Sequence, residues 1–298
     1  MRARDVTELL LLSVLWGAAY LFMRAAVPAF GPAPLVALRF GIAVALLLPL
    51  MLWRGGLPAL RAQPLPIAVV GVVFTAMPFM LLAYASLHIT AGLVAVLNAT
   101  APLFAALFAH YVLQDRLGRW RAAGLVIGFA GVALLMAGSV SFKSGDGLLA
   151  ALAVLGCSVS WGLGANYTRK HLGGTDALVV TVGTLLVGTL VLMPWAWATW
   201  PQQPPGARAW AEVVFLGVAS SGLGYLMYFR LLRRIGPVRA MSVTFLNPVV
   251  AMASGAAYLG EAVTLQMLGG GLVVLLGTAL TLGLIGRKAP AVPSSTTA

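Results

Sequence analysis

Apolar residues run along almost the whole chain in blocks of about twenty, separated by short polar or Pro/Gly-rich connections. A helix that crosses about 30 Å of hydrocarbon needs about 20 such residues. The blocks lack the alternating apolar and polar positions of a membrane β-strand. The pattern therefore predicts an all-α integral membrane protein with ten transmembrane helices, at 8–27, 33–53, 65–87, 89–112, 120–140, 147–168, 177–199, 209–229, 239–260 and 263–286.

Composition supports a membrane protein. Of the 298 residues, 61% are hydrophobic and only 9% are charged, with a mean hydropathy of +0.98. Soluble domains carry about a quarter charged residues, and disordered chains are poor in apolar residues. A cleaved signal peptide near the N-terminus is disfavoured, because the first apolar block ends in Arg24 and nine similar blocks follow. The polar tail at 289–298 is expected to be disordered and cytoplasmic.

The positive charges predict the orientation. Fifteen of the nineteen Lys and Arg residues fall on one side if the N-terminus is cytoplasmic, which leaves only Arg24, Arg39, Lys143 and Arg208 on the other. Cytoplasmic loops concentrate such residues. We therefore expect an inner (plasma) membrane protein with both termini in the cytoplasm. Since the bases are scattered between apolar blocks, no nucleic-acid partner is expected despite the net charge of +12.

The two halves of the chain resemble each other. Ser13–Arg24 aligns with Ser158–Arg169 at an offset of 145, and Pro102 with Pro248 and Asp115 with Glu261 at 146. This predicts two five-span repeats, 1–143 and 144–288. Because five is odd, the second repeat would enter the membrane from the opposite side. Inverted repeats are typical of transporters, in which the substrate site lies near the midplane between the repeats.

These motifs also resemble a known family. They are Trp-Gly at 16–17 and 161–162, Leu38-Arg39-Phe40, and the span ends Pro102…Asp115 and Pro248…Glu261. Over 8–286 their order is similar to the EamA-type branch of the drug/metabolite transporter superfamily, although Asp115 stands where that family usually has Glu. The resemblance implies export of small metabolites, amino acids among them. It also implies a central cavity lined by spans 1, 3, 4, 6, 8 and 9, with spans 5 and 10 peripheral.

The acidic residues exclude some substrates. All seven lie in a tail, in a loop or at the end of a predicted span: Asp5, Glu8, Asp115, Asp146, Asp176, Glu212 and Glu261. An exporter of lipophilic cations would place a carboxylate deep in the membrane, where ionisable residues are functional by default. With none there, facilitated diffusion is favoured over proton coupling. Cys157 is the single cysteine, and no metal or cofactor is expected.

Neutral polar groups and aromatic rings remain for a substrate site. Tyrosine and tryptophan combine an apolar face with a polar tip, which suits zwitterions with large side chains. The alternative for each residue is helix packing or a membrane-interface position. The expected substrate-binding residues are Trp16, Tyr20, Phe74, Met77, Tyr84, Asn98, Thr100, Trp161, Asn166, Tyr225, Tyr228, Ser242, Phe245 and Asn247.

Helix-breaking residues and three charges complete the predicted machinery. Proline frees backbone carbonyls in the preceding turn, and the small residues of the run 220–224 would break or thin span 8. The expected hinges or gates are therefore Pro78, Pro102, Gly222, Gly224 and Pro248. Simple kinks are the alternative. Arg24 and Arg39, predicted near the outer ends of spans 1 and 2, would form a vestibule charge with Glu261. Alternatively, the two arginines snorkel to the interface or pair with Glu261.

Together these features favour a secondary transporter that exports small neutral or zwitterionic metabolites, most of all amino acids, by alternating access. A nucleotide-sugar or lipid-linked metabolite carrier would need more bases in the cavity. An intramembrane enzyme would need a nucleophile and a base at one depth. Ser221-Gly222 is the nearest match to a serine-protease motif, but Ala219 stands where that motif begins with glycine. The expected partners are a small-molecule substrate and the lipid bilayer, with the protein a monomer or weak homodimer.

Overall fold

The computed structural model describes residues 3–112, 118–138, 145–235 and 243–283. Over these ranges the chain forms helices joined by turns, without a β-strand. This confirms the predicted helical class. The expected tail at 289–298 lies outside the described residues.

The described residues of the first half form eight α-helical segments. The corner between the first two falls at Gly31, whose φ of 77° suits glycine, and proline begins the next helix, where a missing N–H costs nothing. The segments are α1 Ala3–Phe30, α2 Pro32–Trp53, α3 Leu57–Ala62, α4 Pro64–Val70, α5 Met77–His88, α6 Ala91–Asn98, α7 Ala101–Val112 and α8 Arg119–Gly138. A π-helical segment, π1 (Gly71–Ala76), joins α4 to α5 without a break.

The described residues of the second half also form helices. Asp176 and Thr264 cap two of its helices by accepting hydrogen bonds from the backbone N–H groups of Leu178 (2.9 Å) and Met267 (3.2 Å). Its segments are α9 Gly145–Leu172, α10 Ala177–Ala198, α11 Ala207–Phe215, α12 Gly224–Ile235, α13 Val243–Leu259 and α14 Leu265–Thr281. A second π-helical segment, π2 (Leu216–Leu223), joins α11 to α12.

Eight of the described helical stretches are long and apolar enough to cross a membrane. Two shorter apolar helices, Leu246–Leu259 and Leu265–Thr281, lie near the end of the chain. Large apolar side chains also cover the outer surface, with Trp53, Trp197 and Leu265 each more than 80% exposed. Helices that are apolar on both their buried and their exposed faces belong in lipid. The chain is therefore a multi-pass membrane protein.

The halves are interleaved, because most long helices pack against a helix of the other half. Helix α1 packs on α13, α2 on α10, α8 on α14, and α5 and α7 on α9. The contacts are reciprocal. A Cβ at Gly17 of α1 would lie 2.5 Å from Val250 Cβ in α13, and a Cβ at Gly162 of α9 would lie 2.8 Å from Ala105 N in α7. Gly17 and Gly162 are equivalent positions of the two repeats, so equivalent positions make equivalent contacts.

The two π segments begin at equivalent positions, Gly71 and Leu216, 145 residues apart. In each, the hydrogen bond spans one extra residue: Met77 N–H bonds Val72 O, and Gly224 N–H bonds Ala219 O. Sequence reasoning predicted a disturbance near Pro78 and at 220–224, and the π segments lie at these places. Such segments leave carbonyls without their usual helical partner and occur often at functional sites.

Candidate functional site

A cavity lies between the two halves. Its volume is about 110 Å³. The residues that line it come from α1, α2, π1, α5, α6, α7, α9, π2, α12 and α13. They are Trp16, Ala19, Tyr20, Met23, Arg39, Phe74, Phe79, Leu82, Asn98, Ala101, Trp161, Ala165, Ser220, Tyr225, Tyr228, Val243 and Asn247.

Two equivalent tryptophans line the cavity and bond the π segment of the opposite half. Trp161 Nε1–H donates to Phe74 O at 3.0 Å, and Trp16 Nε1–H donates to Ser220 O at 3.1 Å. Phe74 O is available because Pro78, four residues on, has no N–H. Ser220 O is available because the N–H of Gly224 reaches back to Ala219 O instead. Each indole thus satisfies a carbonyl that the irregular helix leaves free.

Aromatic rings form much of the cavity wall. The Trp16 ring lies 5.2 Å from Tyr228 and 6.2 Å from Tyr225, centroid to centroid. Phe79 and Trp161, which also line the cavity, pack edge to face with their centroids 5.5 Å apart. These contacts hold the rings in fixed orientations and leave an apolar surface with polar tips.

A buried polar network crosses from the first half to the second. Asn98 Nδ2 donates to Tyr20 Oη at 2.6 Å, while Asn98 Oδ1 accepts from Ser158 Oγ at 3.3 Å and lies 3.7 Å from Cys157 Sγ. Asn247, on α13, donates from its amide nitrogen to Ser13 O at 3.3 Å and Val243 O at 3.0 Å. Both asparagines therefore fix helix contacts as well as facing the cavity.

Arg39 is a cation inside the bundle. It is only 1% exposed and lines the cavity. Its Nε donates to Ser221 Oγ at 3.0 Å and its Nη2 to Ser220 Oγ at 3.2 Å, and Cζ lies 4.4 Å from the Phe79 ring centroid. This differs from the expected vestibule or interface position. The π2 serines and the Phe79 ring provide partners within the protein, so the side chain does not extend to the interface.

Arg24 and Glu261 occupy one end of the bundle. Arg24 Nε lies 3.7 Å from Glu261 Oε1, which is the pairing that sequence reasoning named as an alternative to a vestibule role. The Glu261 carboxylate also accepts from Ala91 N–H at the start of α6, at 3.0 and 3.1 Å. An anion at a helix N-terminus is favourable. These contacts join the two halves at this end.

The structure gathers eight of the predicted substrate-binding residues around the cavity: Trp16, Tyr20, Phe74, Asn98, Trp161, Tyr225, Tyr228 and Asn247. Two others do not line it: Met77 is 48% exposed, and Tyr84 packs on His88 with centroids 4.8 Å apart. Thr100 and Asn166 are buried against backbone carbonyls, those of Leu97 for Thr100 and of Gly162 and Ala105 for Asn166. Ser242 lies outside the described residues, as does the side chain of Phe245.

The predicted hinges behave differently from one another. Pro102 follows the short break between α6 and α7, whereas Pro248 lies within the continuous helix α13. Gly222 belongs to π2, and Gly224 begins α12 beside Trp16. Pro78 is the second residue of α5, directly after π1.

Sequence reasoning missed several lining residues. Met23, Leu82, Ala101, Ala165 and Val243 are ordinary apolar residues of apolar helices, so nothing in the sequence distinguishes them. Phe79 gave no signal beyond being aromatic. Ser220 could have been selected, because a polar pair within an apolar span is unusual. The described residues contain no group of three or more His, Cys, Asp or Glu side chains that could hold a metal ion.

The sequence and fold were compared with known proteins. The profile of the EamA-like transporter family matches the chain twice, at residues 6–137 and 148–283. The chain is 29% identical to the uncharacterized inner membrane transporter YedA of Escherichia coli K12, over 91% of this chain and 89% of the relative. It is 27% identical to the probable terminal-alkyne amino-acid exporter of Streptantibioticus cattleyicolor, over 93% of both chains.

A protein of known crystal structure shares the fold, with a TM-score of 0.72 over 97% of this chain and all of the other, at 21% identity. The two matches of the family profile coincide with the two halves that make reciprocal contacts around the cavity. They also account for the repeat seen in the sequence. The chain belongs to the EamA-like transporter family.

Proposed function

We propose that this protein is a secondary transporter that exports small neutral or zwitterionic metabolites, with amino acids as the leading class. The observation that carries the proposal is the cavity between the halves, where aromatic faces surround a few polar groups. Such sites bury most of a small ligand and orient it through a small number of hydrogen bonds. One relative, 27% identical, is named an amino-acid exporter, which is consistent with this substrate class.

The proposed topology is ten spans arranged as two inverted repeats, 1–143 and 144–288, with both termini in the cytoplasm. The reciprocal Trp16–Ser220 and Trp161–Phe74 hydrogen bonds support a two-fold relation between the halves. The distribution of Lys and Arg supports the orientation. The two shorter apolar helices, 246–259 and 265–281, would then be spans nine and ten.

Transport in this proposal occurs by alternating access. Ionic contacts between the halves exist at both ends of the bundle: Arg24 with Glu261 at one end, and Arg234 with Asp5 (3.5 Å) and Glu8 at the other. Opening the cavity to one side requires the contact on that side to separate. The π segments, which have irregular hydrogen bonding, are the proposed points of bending.

The test is uptake of labelled amino acids by purified protein in liposomes, with and without a pH gradient, against protein-free liposomes. Saturable uptake of neutral or aromatic amino acids that does not depend on the gradient is the expected result. Dependence on the gradient would replace facilitated diffusion with proton coupling. If no amino acid is taken up, amino acids are excluded as substrates.

A further inference from the structure

We propose that Arg39 forms a subsite for a substrate carboxylate, so that the cavity selects molecules carrying one carboxylate. This inference rests on the transporter function proposed above and narrows its substrate class. Neutral metabolites without an acidic group, and amines without one, would not be accepted.

The guanidinium of Arg39 has unfilled hydrogen bonds. Arginine has five N–H donors in a planar fork. Ser221 and Ser220 accept from Nε and Nη2, whereas the buried Nη1 has no hydrogen-bond partner. Nη1 and Nη2 are adjacent and point in directions that match the two oxygens of a carboxylate. A buried donor without a partner is costly, and a carboxylate that reaches Nη1 when the cavity opens would remove that cost.

The positive charge of Arg39 is also without a nearby negative charge. Among the described residues, no carboxylate oxygen lies within 4.0 Å of the Arg39 guanidinium, and the ion pairs found there join other groups. The Phe79 ring stabilises the cation in part. A cation inside a membrane protein without a counter-charge is a functional candidate. A substrate carboxylate would supply the missing negative charge.

The rest of the cavity wall carries no negative charge. The residues that line the cavity include no Asp or Glu, so an amine that has no carboxylate of its own finds no counter-charge there and would be repelled by Arg39. The rings of Trp16, Tyr228 and Trp161 also line the cavity and offer apolar faces to the rest of the substrate. A carboxylate at Arg39 with an apolar or aromatic body against these rings satisfies both parts of the site.

A purely structural role for Arg39 is the competing explanation, because its two serine contacts hold α2 against π2. Comparing different ligands on the unaltered protein distinguishes this structural role from carboxylate binding by Arg39. We would measure binding to the purified full chain in detergent by calorimetry. The ligands are carboxylates from acetate to phenylpropionate, their matched amides, and phenethylamine. The expected result is at least about tenfold tighter binding of phenylpropionate than of phenylpropionamide, and no binding of phenethylamine.

Variants of Arg39 test whether its guanidinium causes the preference for the acid over the amide. Arg39→Gln removes the charge and should weaken phenylpropionate binding by about 10- to 100-fold while leaving the amide unchanged. Arg39→Lys keeps the charge but loses the fork, and should retain part of the preference for the acid. Arg208→Gln is the matched control, since Arg208 is exposed, pairs with Glu212 and lies outside the cavity. It should keep the full ratio of acid to amide.

The outcomes distinguish this inference from the proposed function. If amino acids are transported but acid and amide bind equally, or if no carboxylate binds, the Arg39 subsite is overturned while the transporter stands or falls by its own assay. If phenylpropionate binds more tightly than its amide but no amino acid is transported, the subsite stands and the amino-acid class fails. Equal ratios for wild type and Arg39→Gln also overturn the subsite.

Discussion

Replacing Gly277 by alanine should separate α8 from α14. The two helices meet through glycines of both, with Gly124, Gly128 and Gly131 on α8 facing Gly270 and Gly277 on α14. Small residues allow helix backbones to approach closely in membranes, where lipid provides no hydrophobic drive for association. This interface therefore depends on close van der Waals contact.

The size of the effect follows from the distances. A Cβ at Gly277 would lie 2.3 Å from Gly128 N and 2.5 Å from Gly128 Cα, whereas ordinary contacts begin near 3.4 Å. The obstructing atoms are backbone, so the helices must move apart by about 1 Å. Overpacking of this kind costs about 1–3 kcal/mol. Alanine also favours a helix over glycine by about 1 kcal/mol, which acts in the opposite direction.

Gly269→Ala is the matched control. Gly269 lies in the same helix, but a Cβ there meets nothing within 4 Å. Both variants gain the same helix propensity, so the difference between them isolates the packing. We expect Gly277→Ala to be less stable than Gly269→Ala by about 1–3 kcal/mol, measured as a lower thermal unfolding midpoint in detergent. If the two midpoints coincide, or Gly277→Ala is the higher, the helices are not in backbone contact at this position.

Three further predictions concern the cavity and its surroundings. A Cβ at Gly224 would lie 2.6 Å from Trp16 Nε1, so Gly224→Ala should displace the indole from Ser220 O and lower the initial uptake of a transported amino acid by about tenfold. A Cβ at Gly222 would lie 3.2 Å from the end of the Leu46 side chain and 3.3 Å from Gly217 O, so Gly222→Ala should lower uptake less, and the reverse order would contradict the placement of Trp16. Trp161→Phe keeps an aromatic ring but leaves Phe74 O without its donor, which should lower the free energy of unfolding by about 1–2 kcal/mol. Trp197→Phe, at an 85% exposed position, should leave the free energy of unfolding almost unchanged, and equal losses in the two variants would refute a specific role for the Trp161 indole N–H. Cys157 is fully buried, so a maleimide should alkylate it only slowly in the folded protein. The same maleimide should rapidly label a cysteine introduced at the exposed loop residue Gln203, and comparable labelling rates would mean that α9 is packed differently.

Part of the cavity could be predicted from residue type alone. Trp16, Trp161, Tyr225 and Tyr228 stood out because they are large amphipathic side chains within apolar helices, and the structure places all four on the wall. Residue type could not tell which face of a helix they occupy. When every face is apolar, periodicity does not identify the buried one. Met77 and Tyr84, selected by the same reasoning, do not line the cavity.

Arg39 shows most clearly what could not be predicted from the sequence. Its position along α2 is compatible with a side chain that reaches the interface, and arginines near helix ends commonly do so. Its actual environment depends on π2 and α5, which are distant in the sequence. Ser220 and Ser221 are separated from Arg39 by about 180 residues, so local sequence holds no information about their hydrogen bonds.

The sequence by itself determined the helical membrane class and the relation between the halves. Both can be recognised from sequence patterns. Long apolar blocks predict spans, and Trp-Gly, Pro and acidic positions recur at nearly one offset, in agreement with two matches of the family profile. Only the tertiary structure decided that each tryptophan bonds a carbonyl left free in the other half, and that an arginine without a carboxylate partner among the described residues lines the cavity. These features arise from contacts between helices far apart in the chain, and the low dielectric of the interior gives them their energetic importance.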